Sequence, residues 1–378
     1  MPFCKKSFSL LLTIITVISL SSCGTLQSNL LNSVTDAGNY LIHSINENGT
    51  FAYQYDPSTD QVANKYNILR HAGTIYSMLE LYEITQDPEL LEAAERALAY
   101  LAQQIKPCKA KLEASACLIE KEYTKIGGNG LAIVAIAQYT EATGDDKYIP
   151  TAQALARFLV SNQSEEGEFW PHKIAFPSME GDTFISEYYP GEALLGLNRL
   201  YEIDKNEEWL TAAHNGINWL IEVRDKGKSA SKLPHDHWLL YAIYDQSTHE
   251  EIPYSFTDHA MKIVGAILDM QKPEGNYYTP PRSTPTATRS EGLYAAYKLA
   301  LNNGYENKVD EIFEGIEKGV GFQLQTQFTE KNVKDLRNPE RAIGAFHEGL
   351  DITTIRIDYV QHNISSILGY IELLNLQQ

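Results

Sequence analysis

A chain of 378 residues, 43% hydrophobic and without any Pro-rich, Gly/Ser-rich or single-charge run, reads as one large domain rather than two. Its 31 basic and 49 acidic residues leave a formal charge of -18, which repels nucleic acid and anionic lipid from most of the surface. An acidic polysaccharide stays compatible where a local basic cluster faces it, and the chain holds no Gly-rich phosphate loop, HExxH, GxSxG or CxxC.

In chain order, Lys5 and Lys6 precede an apolar run from Phe8 to Leu20 that is too short to span a bilayer comfortably. The run ends in Leu20-Ser21-Ser22-Cys23, which resembles the lipobox of bacterial lipoproteins. That resemblance implies a signal peptide over 1–22, acylation of Cys23, a tether over 23–29 and a domain over 30–378 held to the bilayer by its lipid. Gly24 in place of an acidic residue favours the outer membrane of the cell envelope. Cys108 and Cys117 then remain, nine residues apart in a polar loop with no His between Lys106 and Lys121, and are expected to form a disulfide.

Apolar spacing of 3.6 residues predicts an inner set of helices over about 67–85, 127–143, 190–204, 235–245, 289–303 and 357–375. An outer set, charged on its far face, is predicted over about 30–46, 88–105, 148–163, 207–223, 257–271 and 307–328. Strand alternation is scarce. Three intervening helices are followed by a turn with glycine two residues before an aromatic: Gly49 and Phe51, Gly167 and Phe169, Gly275 and Tyr277. Each inner helix opens on a polar cluster, marked by Arg70, Gly128, Glu187, Asp236, Glu291 and Asp358 at steps of 58, 59, 49, 55 and 67 residues. Each step holds two helices and their loops, so the repeat unit is a helical hairpin, and six hairpins can close into a ring.

This arrangement resembles the all-α (α/α)6 toroid of six-hairpin glycosidases, N-acylglucosamine 2-epimerases, several polysaccharide lyases and D-glucuronyl C5-epimerases. The resemblance implies a sugar-binding cleft where the inner helices begin, the end at which the polar clusters fall. There, Glu187, Asp236 and Glu291 come from different hairpins, and carboxyl groups on opposite walls supply the acid and base of glycoside hydrolysis; as helix-start carboxylates they equally suit free backbone N–H groups. His235, His237 and Trp238 offer hydrogen bonds, proton transfer and a stacking face, and Tyr188 adds to an aromatic wall. The His235-x-His237 pair alone suggests a metal, but no complementary Cys or carboxylate spacing fixes one, and no metal or other cofactor is expected. Arg70, His71, Arg289 and Arg356 supply positive charge for a carboxylated sugar or for the neighbouring acids.

The segment Arg356-Ile357-Asp358-Tyr359-Val360-Gln361-His362-Asn363 is similar to the Arg-Trp-Asp-Tyr-His-x-x-His segment of D-glucuronyl C5-epimerases, matching at Arg356, Asp358 and Tyr359. It departs at Ile357, Val360 and Asn363, and His362 stands one residue from the second His. The resemblance implies an active-site lining in which tyrosine takes part in proton transfer. The resulting expectation is a tethered protein acting on a polysaccharide or oligosaccharide as a glycosidase-like enzyme. Asp236 and Glu187 form its acid and base pair, Glu291 can replace either, and Tyr359 and His362 carry protons. Glycan binding without catalysis, and uronate epimerase or lyase chemistry, are the alternatives.

Overall fold

The computed structural model describes residues 7–377, with side chains from Gly24 onward; the acylation expected at Cys23 and the leader before it lie outside the described side chains. Among the described residues no helix is long and apolar enough to cross a membrane.

Among the described residues, twelve α-helices alternate between two shells. The inner helices are α2 (Ile68–Thr85), α4 (Ile126–Thr143), α6 (Tyr189–Asp204), α8 (His237–His249), α10 (Ser283–Asn302) and α12 (Ile357–Leu376). Each packs on the next, and α12 packs back on α2, so the ring closes. The outer helices are α1 (Ser7–Ser44), α3 (Pro88–Gln103), α5 (Ile149–Ser161), α7 (Glu207–Trp219), α9 (Tyr254–Met270) and α11 (Glu306–Leu324). Burial separates the shells as the sequence pattern requires. Every residue of α4 from Ile126 to Tyr139 is buried, whereas α3 buries one stripe, Leu90, Ala93, Ala94, Ala97, Leu98 and Leu101. Each leucine of that stripe stabilises the fold by roughly 2 kcal/mol on burial. Where α4 and α6 cross, a Cβ on Gly130 would stand 2.3 Å from the Glu192 carbonyl oxygen, so only glycine permits the contact.

The three glycine turns form, with φ of 84° at Gly49, 103° at Gly167 and 90° at Gly275, and their aromatics are buried. In each, a Cβ would strike a backbone carbonyl of the following outer helix, at Arg96, Asn215 and Lys318 respectively. A fourth copy closes the series: Gly344, φ 87°, sits against the Asp36 carbonyl and Phe346 is fully buried. Gln163, Gln271 and Gln327 brace three of the turns, each Nε2 donating to the turn glycine's carbonyl and to a carbonyl of the next outer helix. The sequence pattern missed the fourth turn because its preceding residue is Ile343 rather than a polar one.

Eight strands of two to five residues, too short to show alternation in the sequence, form two antiparallel sheets in the orders β2-β1-β8-β7 and β3-β4-β5-β6. They are β1 (Gln54–Asp56), β2 (Gln61–Val62), β3 (Ile105–Pro107), β4 (Ala116–Glu120), β5 (Tyr123–Lys125), β6 (Lys173–Ala175), β7 (His347–Gly349) and β8 (Ile352–Arg356). Strand β8 runs directly into α12 and pairs Arg356 with Gln54, which fixes the rim at that point. Cys108 and Cys117 are disulfide-bonded beside the β3–β4 hairpin, as expected.

Candidate active site

The inner-helix N-termini surround a cavity of about 550 Å³. A cavity of about 630 Å³ opens at the opposite end, but its cations are already matched: Arg199 pairs with Asp245 at 2.6 Å and Lys298 with Glu372 at 2.9 Å. The candidate site is therefore the cavity at the N-terminal end.

Its floor is a histidine pair. His237, the first residue of α8, is buried with both ring nitrogens unpartnered, its ring 4.4 Å from that of Trp238 and 5.4 Å from that of His362. Burial, reinforced by His362 and Arg289, holds the His237 imidazole well below the ordinary histidine range, so it is neutral. His362, one helical turn into α12, places Nδ1 2.8 Å from Glu291 Oε1. Glu291 is completely buried, which raises its pKa against the opposing pull of His362. With Nδ1–H donating to that carboxylate, Nε2 is the His362 nitrogen left to exchange a proton.

One wall comes from β8 and the start of α12. Asp358 accepts from Arg356 through both oxygens, at 2.5 and 2.9 Å, and lies 3.0 Å from Arg70 Nε. Arg70 also donates to the Tyr53 hydroxyl. The Arg356 guanidinium covers the Tyr359 ring at 4.3 Å. Tyr359 is raised by burial despite that neighbour. Tyr188, whose ring lies 6.3 Å from that of His237, and Arg289 on α10 also line the cavity.

The structure thus brings Arg70, Tyr188, His237, Trp238, Arg289, Arg356, Asp358, Tyr359 and His362 to one cavity, with Glu291 directly behind His362. Four sequence expectations change. Asp236 does not line the cavity; it is the completely buried N-cap of α8, its Oδ1 accepting from Trp238 N at 3.1 Å and Leu239 N at 3.2 Å, and burial pushes its carboxyl up to about 7. Glu187 is exposed beyond the rim and meets Arg224 through its backbone carbonyl, so it cannot face Asp236 across a cleft. His71 is a satisfied core histidine between the Tyr66 hydroxyl (2.7 Å) and the Ala97 carbonyl (2.9 Å), lowered to about 4 by burial. His235 stands behind Arg289, accepting from its Nε at 3.2 Å. Helix α10 begins at Ser283, not at Arg289, which sinks Glu291 two turns below the rim.

The cavity also contains residues that sequence reasoning passed over. Glu192 lines it from the first turn of α6, buried with Oε2 unpartnered and pushed up to about 8, first by burial and then by Asp236. A Cβ on Gly127 would lie 1.7 Å from that oxygen, so the lack of a side chain at Gly127 on α4 is what gives the carboxyl room. Arg282, Glu348 and Tyr278 also line it. Only Glu192 had a local signal, lying inside the Glu187 to Glu192 polar cluster.

His237, Glu291 and His362 also have ligand atoms all within 4.8 Å of one another. Tertiary structure supplies here the carboxylate that the His235-x-His237 spacing lacked. Two histidines and a glutamate are a donor set able to hold zinc, although the His362–Glu291 hydrogen bond already engages two of the three.

By sequence, neither a protein-family profile nor a curated protein matches this chain. By structure it is similar to cellobiose 2-epimerase from Bacillus thermoamylovorans B4167, with TM-score 0.71 and 13% identity over 93% of this chain and 100% of that one. It is also similar to a D-mannose isomerase (TM-score 0.67, 11% identity, 92% and 97% covered). An α-1,6-mannanase of Salegentibacter sp. HEL1_6 matches at TM-score 0.65, with 14% identity over 91% and 99% of the two chains. The fold is an (α/α)6 toroid. In this toroid the cavity at the inner-helix N-termini gathers two histidines, four arginines and an uncharged carboxylic acid in one place.

Proposed function

We propose that this protein moves a proton on the carbon skeleton of a sugar, as an epimerase or isomerase does, with His237 and His362 as the proton-transfer pair. The observation that carries this reading is their placement: two imidazoles from α8 and α12 with rings 5.4 Å apart, one unpartnered and neutral, the other backed by a buried carboxylate. His237, neutral, takes the C–H proton next to a sugar carbonyl, and the electron pair passes to the carbonyl oxygen to give an enediolate. His362, entering the step as an imidazolium beside Glu291, gives a proton to the carbon; both imidazoles then return to their starting states by proton exchange with water. No co-reactant is consumed. Glu291 stabilises the His362 imidazolium, and Glu192, held protonated at neutral pH, is a hydrogen-bond donor for the developing enediolate oxygen. Trp238, Tyr188 and Tyr278 supply stacking faces for a pyranose.

Hydrolysis is the less supported reading, because it requires two available carboxyl groups across a cleft. Asp236 is a cap and Glu187 is outside. Of the lining carboxylates Asp358 is clasped by two guanidiniums and Glu348 lies 3.8 Å from Arg282. The fold does not choose between these chemistries, since epimerase, isomerase and mannanase structures all resemble it. The proposal also keeps the envelope location, with Cys23 as the lipid anchor.

The test is incubation of the full-length protein with a panel of neutral and acidic sugars in D2O, read by NMR and mass spectrometry. Deuterium on a carbon next to the carbonyl, with appearance of an epimer or isomer, is the expected result, and His237→Asn or His362→Asn should each slow it at least about a hundredfold. New reducing ends without deuterium would replace this reading with hydrolysis, and binding without either would leave a glycan-binding protein.

A further inference from the structure

The cavity's charges do not balance. Among its lining residues four guanidiniums, Arg70, Arg282, Arg289 and Arg356, face three carboxyl groups, Glu192, Glu348 and Asp358. Burial keeps Glu192 protonated at neutral pH, so the cavity is locally cationic in a chain whose formal charge is -18.

The surplus concentrates at one residue. Arg70 and Arg356 share Asp358, and Arg282 meets Asp351 at 2.6 Å and Glu348 at 3.8 Å. Arg289 is only 9% exposed, and all three of its hydrogen bonds go to neutral acceptors: His235 Nδ1 at 3.2 Å, the Pro285 carbonyl at 2.8 Å and the Tyr278 hydroxyl at 3.0 Å. No carboxylate pairs with it among the described residues. Its guanidinium lies 5.0 Å and 5.2 Å from the Tyr277 and Tyr278 ring centroids, which fix its plane. A buried guanidinium without an acid is costly in a protein that offers no further compensation. The Tyr277 hydroxyl and Thr284 Oγ1 are also buried and unsatisfied, and Thr284 lines the same cavity as Arg289. Arg289 spends three of the five N–H donors of a guanidinium, which leaves two, the number a bidentate carboxylate accepts.

We propose that the sugar this cavity takes carries a carboxylate and that Arg289 receives it. The inference rests on the sugar-proton-transfer reading and narrows its substrate to uronates. Arg70 and Arg356, which the sequence suggested as equal anchors, are instead engaged by Asp358 at the start of α12. The planar, two-oxygen shape of a carboxylate matches the guanidinium edge, so the preference is one of geometry as well as charge.

Calorimetric titration of the full-length protein in mild detergent, with D-glucuronate, D-galacturonate, D-glucose, D-galactose and D-glucose 6-sulfate as probes, decides the matter. A uronate should bind at least about tenfold more tightly than its neutral parent, and the advantage should shrink as salt rises. Arg289→Gln should remove the advantage of a uronate over its neutral parent, a ratio that a general loss of sugar affinity would not change. Arg289→Lys keeps the charge and the fold while losing the paired geometry, and should retain only part of it. Equal affinity for uronates and neutral sugars, an advantage that survives in Arg289→Gln, or preference for the sulfate over both uronates would each overturn the proposal. The deuterium experiment separates it from the function it rests on. Exchange on neutral sugars with no uronate preference removes the carboxylate site alone. Arg289-dependent uronate binding with no exchange at any carbon removes the proton-transfer function alone.

Discussion

His362 Nδ1 and Glu291 Oε1 lie 2.8 Å apart although 71 residues separate them, and the carboxylate is completely buried beneath the imidazole. Such a pair orients the ring and stabilises its protonated form at the moment of proton transfer. Glu291→Gln keeps the shape and a hydrogen-bond acceptor but removes the charge. Its expected effect is a fall in kcat of at least about tenfold with KM within a fewfold, since the charge serves the imidazolium that donates the proton and not the binding of the sugar. Steady-state kinetics of sugar exchange measure it, and an unchanged kcat would assign Glu291 to packing alone.

Glu192 gives the protein a pH-dependent stability. Its folded-state pKa is raised from 4.5 to about 8, so the folded protein keeps a proton that the unfolded chain releases. Stability therefore falls as pH rises between these values, by about 1.4 kcal/mol per pH unit at most. Glu192→Gln carries no such proton, and its stability relative to wild type should climb from pH 5 to pH 8 in denaturant melts. Parallel pH profiles for the two proteins would show that the carboxyl is solvated in the fold.

Asp236 holds the start of α8 through two backbone N–H groups. Asp236→Ala should destabilise the protein by about 1 kcal/mol, the usual cost of a lost cap. Because the side chain does not line the cavity, sugar affinity should stay within a fewfold in the folded variant, as measured by titration alongside thermal melts. A hundredfold loss of turnover at unchanged melting temperature would return Asp236 to the chemistry.

The cluster of His237, Glu291 and His362 makes metal dependence a direct check. Dialysis against a chelator should leave the exchange rate unchanged, because the proposed chemistry uses the imidazoles as bases rather than as ligands. Loss of activity restored by zinc would make the trio a metal centre and displace the proton-transfer reading.

Attachment is tested independently of the site. Cys23→Ser should move the protein from the membrane fraction to the soluble one if the cysteine carries the lipid, since the acyl chains supply about 0.8 kcal/mol per buried methylene. Equal membrane association of the variant would refute the lipoprotein assignment.

The sequence by itself determined the repeating hairpin, the alternation of fully buried and one-sided helices and the glycine turns, because each depends on contacts within a few residues or on a periodicity along one helix. The continuous burial of α4, the αL glycines at 49, 167 and 275 and the capping side chains of Asn67, Asp87 and Asn206 all arise locally. Tertiary structure decided which polar residues meet. His237, Glu291 and His362 belong to three hairpins, and only closure of α8, α10 and α12 around one axis sets their spacing. Within a few residues of the same helix start, Asp236 turns back to cap α8 while His237 faces the cavity, a division fixed by the extended backbone at the cap and invisible in the string His235-Asp236-His237-Trp238. Arg289 reads in the sequence like Arg70 and Arg356. What sets it apart is that folding gives those two an acid to share and gives Arg289 only neutral acceptors, a difference that resides in side chains from separate elements and not in any local pattern.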